Sequence, residues 1–591
     1  MSFKEAPFRD AEFMAVDLSI DERPDGSIIF ESVIPMPDYD KNFVRTILST
    51  VETNKEAIAL AERNAAGDWV KVSYGDLKKR IFSMTQWMLE NIPRGRALMV
   101  LSENSIDTAI VNFACYCAGV IHTPISPSFA LPGDYARFKH VANLTTPAGI
   151  FSASHKNFAT SIENVLSEDV KIITANDEFF HRPTAMLKDI YALEADEKVN
   201  IALDAIDPEA VSTYMMTSGS TGLPKVVTLS LAALAANSAQ TYAAVGRAAG
   251  WDDEMVDWLP WHHAAGLSVL RSSMVCGGSL YIDAGKPIPT LIDETIKNLT
   301  EIPVCYFNNV PSGYAMLVNA MEQNAEFKKS FFKKMRLMLF GGAGLAQSVY
   351  DRLQEMAYEE TGHRIHMTTG YGMTETVSGC MTIHYPTQKV GIGLPCPGVT
   401  VKLLPVEDRY EIRLKGPNLM NGYLNNPEKN AEAFDGEGFY KTGDLVRLIN
   451  PDDLSEGLAF SGRLAEEFKL LNGSWVYGGE LRSNLLKALA EDVAELVICD
   501  ANRPYLTLMV WPKAGASEER ISASLVTFNT QIGGASTTIK RFTMLTTPPD
   551  MSAHEVSDKG TINRRAVLSN RQDILEALYE DSPPPTVHIV T

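Results

Sequence analysis

The stretch Met216-Thr217-Ser218-Gly219-Ser220-Thr221-Gly222-Leu223-Pro224-Lys225 constrains this chain most. It follows a strand-like run, Ala210–Met216. Hydroxyl side chains are interleaved with two glycines, and a lysine closes the stretch. Glycines let backbone N–H groups approach a ligand with no Cβ in the way. Successive N–H groups in such a turn form a concave anion site. The hydroxyls add donors and Lys225 adds a positive charge, so the chemistry suits a triphosphate. A Walker loop needs Gly, four residues, then Gly-Lys-Ser/Thr. Here Gly219 and Gly222 stand too close, and Leu-Pro separates Gly222 from Lys225.

The rest of the chain reads as the scaffold such a loop requires. Residues 57–61 and 69–72 predict a hairpin around Gly67-Asp68. Ser73 and Asp76 make a capping-box-like start. Leu77, Ile81, Met84 and Met88 then recur at helical spacing, predicting a helix over 74–91. Residues 97–101 and 120–123 read as short buried strands around a helix over 106–117. Strands alternating with helices imply a mainly parallel sheet flanked by helices. In such sheets ligands sit beyond the carboxyl ends of the strands.

At 591 residues the chain is too long for one core, so two or more domains are expected. The texture changes after residue 440, placing a boundary at 462–466. Residues 1–462 form a large α/β domain in this reading, and 463–591 a small, mobile α+β domain. Residues 1–45 are expected to wrap the surface, and the proline-rich 582–585 to be disordered. The net charge of −20 argues against a nucleic-acid partner. Seven cysteines, odd in number and mostly in apolar surroundings, read as buried thiols of a reducing compartment. The N-terminus lacks an apolar signal core and no run reaches membrane-spanning length, so a cytoplasmic protein without a membrane partner is expected.

Four further stretches carry chemistry. Trp258-Leu259-Pro260-Trp261-His262-His263-Ala264-Ala265-Gly266 concentrates aromatic and imidazole groups. Gly341-Gly342-Ala343-Gly344 follows the apolar run 337–340. In Gly370-Tyr371-Gly372-Met373-Thr374-Glu375-Thr376, Thr374 offers a hydroxyl that can donate to a phosphate oxygen. Glu375 is one hard oxygen ligand for Mg²⁺, which typically takes one or two carboxylates plus phosphate oxygens. In Lys441-Thr442-Gly443-Asp444, followed by Arg463, a carboxylate at a strand end suits ribose hydroxyls. Arg463 suits the ribose and phosphate side.

These five stretches, in this order, resemble the adenylate-forming superfamily of acyl-CoA synthetases and luciferases over roughly residues 40–565. The resemblance implies ATP, Mg²⁺ and CoA, the last as co-substrate, with a small carboxylic acid, and a homodimer is compatible with it. It implies that Thr217, Ser218, Gly219, Ser220, Thr221, Gly222 and Lys225 bind phosphate. Gly342, Ala343, Tyr371, Gly372 and Met373 are implied at adenine, and His263, Ala265, Gly266, Gly342 and Gly370 at the acid. The small domain then rotates about Ala465, with Lys469 serving the thiol step. The adenylation lysine falls on Lys559 or, if Ile562 keeps its register, on a slot filled by Thr561. The chain departs from the superfamily in placing Val226 after the lysine, where glycine is usual.

Asp257–His263, Leu280–Pro287, Leu291–Thr295, Asn308–Gly313, Gly462–Lys469 and Asp558–Gly560 resemble bacterial feruloyl-CoA synthetases in particular. That implies a hydroxycinnamate such as ferulate as the acid. The differences fall near the acyl pocket, at His262, Ala265, Tyr371 and Met373. A ligase for fatty or other carboxylates, a carrier-loading enzyme, and a weakened adenylate-binding protein remain alternatives.

Overall fold

In the computed structural model of the protein, residues 3–133, 135–153, 155–217, 223–341, 345–499, 503–550, 553, 555–556 and 562–591 are described, the side chain of residue 465 excepted. The helix predicted over 74–91 spans Tyr74–Asn91. Ser73 Oγ accepts from the Asp76 amide at 3.2 Å, satisfying one of the amides that a helix start leaves without a partner. Leu77, Ile81, Met84 and Met88 form its buried stripe. Burying each such side chain contributes about 1.5–3 kcal/mol. The helix packs on Ile106–Ala118, which Gly119 ends in the left-handed conformation at φ +67°.

Two of the sheets carry the alternation. In the eight-stranded sheet, strands Val211–Thr217, Ile121–Pro124, Ala97–Leu101, Gly149–Ser152, Lys171–Thr174 and Thr184–Met186 run parallel. Lys225–Ser230 and then Gly422–Tyr423 add antiparallel strands at one edge. In the five-stranded sheet, Tyr306–Asn309, Leu337–Phe340 and His366–Gly372 are parallel, with Asn309, Phe340 and Thr369 in one row. Strands Gly379–Thr382 and Leu394–Pro395 continue it antiparallel. A four-stranded sheet holds the predicted hairpin, observed as Ile58–Arg63 and Trp69–Ser73, beside Glu254–Asp257 and Ser279–Ile282.

The N-terminal segment departs from its expected role as a surface wrap. Leu18–Glu22 and Ile28–Ser32 form a hairpin that joins Thr400–Val406, Arg409–Lys415, Tyr440–Leu448 and Leu458–Arg463 in a six-stranded antiparallel sheet. Within the hairpin Ser19, Asp21, Glu22 and Glu31 are exposed while Phe30 is buried, the one-sided burial open to an antiparallel sheet.

Residues beyond 467 build a separate core on strands Val493–Ile498, Leu506–Pro512 and Ile539–Met544, with Leu485, Leu508, Leu525 and Phe542 inside it. The expected disorder of 582–585 is corrected: Val587–Ile589 pairs antiparallel with Ile539–Met544, and the Val587 amide donates to Pro584 O at 2.9 Å. All seven cysteines are free thiols, and only Cys276 is less than fully buried. Among the described residues no helix is long and apolar enough to cross a membrane.

Candidate active site

The glycine-rich stretch connects two antiparallel strands, so Thr217 lies directly across from Lys225. Residues 218–222, which include Ser218, Gly219, Ser220, Thr221 and Gly222, lie outside the described residues, as do Gly342, Ala343 and Lys559. Thr217 Oγ1 is buried and has no hydrogen-bond partner among the described residues. A buried hydroxyl without a partner is a site of unmet hydrogen bonding. Across the hairpin, the Lys225 ammonium sits 4.2 Å from the centre of the Tyr423 ring. Burial pulls the Lys225 pKa down, opposed by the nearby Glu375 carboxylate and reinforced by Lys429.

Glu375 is buried, and its Oε1 accepts from the Tyr423 hydroxyl at 2.8 Å. The Tyr440 hydroxyl lies 3.4 Å from that of Tyr423. Beyond it, the Tyr371 hydroxyl donates to Asp444 Oδ2 at 2.9 Å, and Arg463 Nε approaches Asp444 Oδ1 at 3.4 Å. Burial raises the Asp444 pKa, and Arg463 and Tyr371 oppose that rise. The Glu375 charge adds to the rise at Asp444. Lys225, Glu375, Tyr371, Asp444 and Arg463 therefore form one polar strip, brought together from three sheets. Tyr423 and Tyr440, which close the strip, are not among the residues the sequence singles out.

The turn that carries Thr374 and Glu375 is strained. Thr374–Thr376 is one 3-10 turn, followed by Val377 at φ +66°, ψ −53°. The Ser378 amide donates to Thr376 O at 2.8 Å, closing a γ-turn of the disfavoured hand on a β-branched residue. Such conformations cost on the order of 1–3 kcal/mol and persist only where surroundings over-determine them. Here the Thr376 hydroxyl accepts from the Met373 amide at 2.9 Å, and Asn418 Nδ2 donates to Thr376 O at 3.0 Å. Gly372 is dictated by backbone approach, since a Cβ there would stand 2.0 Å from Ser378 O. At Gly370 the nearest atom to such a Cβ is 3.9 Å away, so backbone contact does not explain that glycine.

His263 is the N-cap residue of helix Ala264–Cys276, half-buried, with its ring 4.4 Å from that of His262. The loop before it is pinned by Asn104, which donates to Leu259 O and accepts from the Trp261 amide, both at 2.9 Å. No pattern in the sequence marks Asn104. Ala265 is exposed. Gly266 is buried, and a Cβ on it would meet Pro260 O at 2.4 Å and Leu259 O at 2.5 Å. Its glycine is thus explained by packing against the loop. Lys469 stands apart from the strip, exposed, its ammonium 5.1 Å from the Trp475 ring.

Among the described residues no group of three or more His, Cys, Asp or Glu side chains is placed to hold a metal. A lone buried carboxylate such as Glu375 fits a cation that arrives with phosphate oxygens as its other ligands.

Residues 48–424 match the AMP-binding enzyme family, and 468–583 match the AMP-binding enzyme C-terminal domain. The chain belongs to the AMP-binding enzyme family. Its similarity to individual members is distant. It is 23% identical to a CoA ligase of Gibberella moniliformis over 80% of this chain and 85% of that one. To 4-coumarate–CoA ligase of Pinus taeda it is 25% identical over 61% of this chain and 66% of that one. The fold matches o-succinylbenzoate CoA synthetase of Bacillus subtilis in complex with its acyl-adenylate intermediate, with TM-score 0.69 and 20% identity over 90% and 98% of the two chains. Like that AMP-binding enzyme, this one pairs a large α/β domain with a smaller C-terminal domain.

Proposed function

We propose that this AMP-binding enzyme joins a carboxylic acid to CoA through an acyl-adenylate, and that the acid is aromatic, ferulate or a related hydroxycinnamate. The observation that carries the reading is the strip from Lys225 through Glu375 to Asp444 and Arg463. It brings together a cation, a buried carboxylate that suits a metal on phosphates and a second carboxylate that suits hydroxyl donors, which supports a nucleoside triphosphate as the ligand.

A carboxylate is a poor electrophile because its leaving group would be oxide. Attack of its oxygen on the α-phosphorus forms a C–O–P bond, breaks the α–β phosphoanhydride and releases pyrophosphate. The sulfur of CoA then attacks the acyl carbon, AMP leaves and the thiol proton is lost. Lys225 and the 218–222 amides hold phosphate oxygens, and Thr374 donates to the α-phosphate. Glu375 is the protein ligand for Mg²⁺, which neutralises phosphate charge when bound. Asp444 takes the ribose hydroxyls, with Arg463 beside them. Gly342, Ala343 and Tyr371 to Met373 hold adenine, and His263, Ala265 and Gly370 border the acid. These are positioning and electrostatic roles, preorganised where charge develops. The small unit turns about residues 462–466 between the two steps.

The hydroxycinnamate assignment draws on the Asp257–His263 and Asn308–Gly313 stretches and on the 4-coumarate–CoA ligase among the relatives. Pyrophosphate release with ATP, Mg²⁺ and a panel of acids tests it, followed by CoA thioester formation. Turnover with ferulate or coumarate above that with fatty acids is expected. Glu375→Gln should lower adenylate formation about 10²-fold, the scale of losing ~3 kcal/mol at the transition state. No pyrophosphate release with any acid would refute the ligase.

A further inference from the structure

Asn421-Gly422-Tyr423-Leu424 belongs to none of the five motif stretches, yet it ties two of them together. On one side it pairs with the strand that begins at Lys225. The Leu424 amide donates to Val226 O and the Asn421 amide to Thr228 O, both at 2.9 Å. The Thr228 hydroxyl donates to Gly422 O at 2.8 Å. On the other side the Met420 amide donates to the backbone carbonyl of Glu375 at 2.9 Å. Asn430 clamps the tyrosine itself, accepting from its amide at 2.7 Å and donating to its carbonyl at 3.0 Å. Gly422, at φ +142°, leaves room for that clamp, because a Cβ there would lie 3.0 Å from Asn430 Oδ1.

The Tyr423 side chain then has little freedom. It is buried, its hydroxyl is 2.8 Å from Glu375 Oε1, and its ring centre is 4.2 Å from Lys225 Nζ. Lys225, half-buried, and the buried Glu375 carboxylate attract each other, and the tyrosine touches both. The ring stands at one charge and the hydroxyl at the other. A cation over a ring face is stabilised by the ring quadrupole, and a hydroxyl donating to a carboxylate makes a strong, directional bond.

We infer that Tyr423 is the positioning residue that holds the phosphate lysine and the metal-ligating carboxylate apart and in register, so that each is free to meet MgATP. This rests on the nucleotide roles of Lys225 and Glu375 given above. It assigns one hydroxyl to the metal side and one ring to the phosphate side, which makes the two separable.

The test is direct binding of ATP, by calorimetry without acid or CoA, across a Mg²⁺ series. Tyr423→Phe keeps the ring and removes the donor. The Mg²⁺ needed for half-maximal ATP binding should rise about tenfold, the scale of one hydrogen bond to a charged group, while Mg²⁺-free ATP binding stays as in wild type. Tyr423→Leu removes both supports and should weaken Mg²⁺-free binding as well. In a Glu375→Gln background the Tyr423→Phe effect should vanish, which a merely structural tyrosine would not produce. If wild type binds MgATP and Tyr423→Phe leaves the Mg²⁺ dependence unmoved, or moves it equally with Glu375→Gln present, the tyrosine role is wrong. If wild type binds no MgATP, the proposed function itself falls, and the two failures are told apart.

Discussion

The Arg409 guanidinium and the Glu467 carboxylate meet in a two-pronged ion pair, at 2.8 and 3.2 Å, with almost nothing of either side chain reaching solvent. Arg409 opens the strand Arg409–Lys415 of the six-stranded sheet, and Glu467 follows the 462–466 segment. The Trp475 indole donates to the same carboxylate at 2.9 Å, and the guanidinium lies 4.0 Å from the Tyr477 ring centre while donating to Ser461 O at 2.8 Å. The pair therefore fastens the residues after the segment onto the sheet before it.

Removing one partner of such a pair strands the other charge in the interior. Glu467→Gln preserves shape and should destabilise this junction by about 3–5 kcal/mol, the scale for breaking a buried pair. Hydrogen exchange of residues 468–476 reads it, with faster exchange expected. Exchange equal to wild type would mean the pair does not hold the junction.

Acid should loosen the N-terminal segment. His366 is stacked by Phe8 at 4.5 Å and edged by Phe13, and its Nε2 lies 3.1 Å from Arg9 O. Burial pushes its pKa down to about 4, outweighing the Arg9 carbonyl. A depressed histidine favours the neutral folded form. Its contribution is complete above the unfolded value near 6.5, and is lost as pH falls from there toward 4. Between pH 7.5 and 5.5 the loss is about 1 kcal/mol. His384, also pushed down to about 4 by burial, adds the same sign. Urea unfolding at both pH values checks this: His366→Gln should shrink the pH difference by about that amount, and an undiminished difference contradicts it.

Two neighbouring substitutions on the His263 helix should behave oppositely. Gly266→Ala forces a Cβ against the carbonyls of Leu259 and Pro260, and overpacking of this kind costs about 1–3 kcal/mol. It should lower the melting temperature and reduce turnover of every acid alike, because it moves the loop that carries His263. Ala265→Phe, on the exposed side, should leave stability within about 0.5 kcal/mol. It should discriminate against larger acids while sparing small ones. Equal loss for all acids with Ala265→Phe would remove that residue from the pocket.

The two lysines of the small unit separate by half-reaction. Lys559→Ala should lower adenylate formation from acid and ATP by about 10²-fold, the scale of one lost electrostatic partner at the transition state. It should spare CoA consumption from presynthesised adenylate. Lys469→Ala should do the reverse. Near wild-type rates in both assays with Lys559→Ala would leave Lys225 or a main-chain donor to carry the carboxylate's charge.

What the sequence determined by itself was local. The Ser73 cap and the Leu77–Met88 stripe specify a helix from 74 to 91 because capping and periodicity act within a few turns. Gly372 and the order of the five motifs were legible for a related reason, as backbone close to a ligand or to itself tolerates few residue types. Pairings between distant segments, by contrast, emerge only once the chain is folded. The hairpin of Leu18–Glu22 and Ile28–Ser32 adds through its second strand to Thr400–Val406, Arg409 finds Glu467, and Tyr423 reaches both Lys225 and Glu375. None of these has a period or a fixed spacing to betray it. A single tyrosine or a lone arginine reads as ordinary until chain closure buries it beside the charge it must satisfy, and that closure is set by sheet order, which no local stretch encodes.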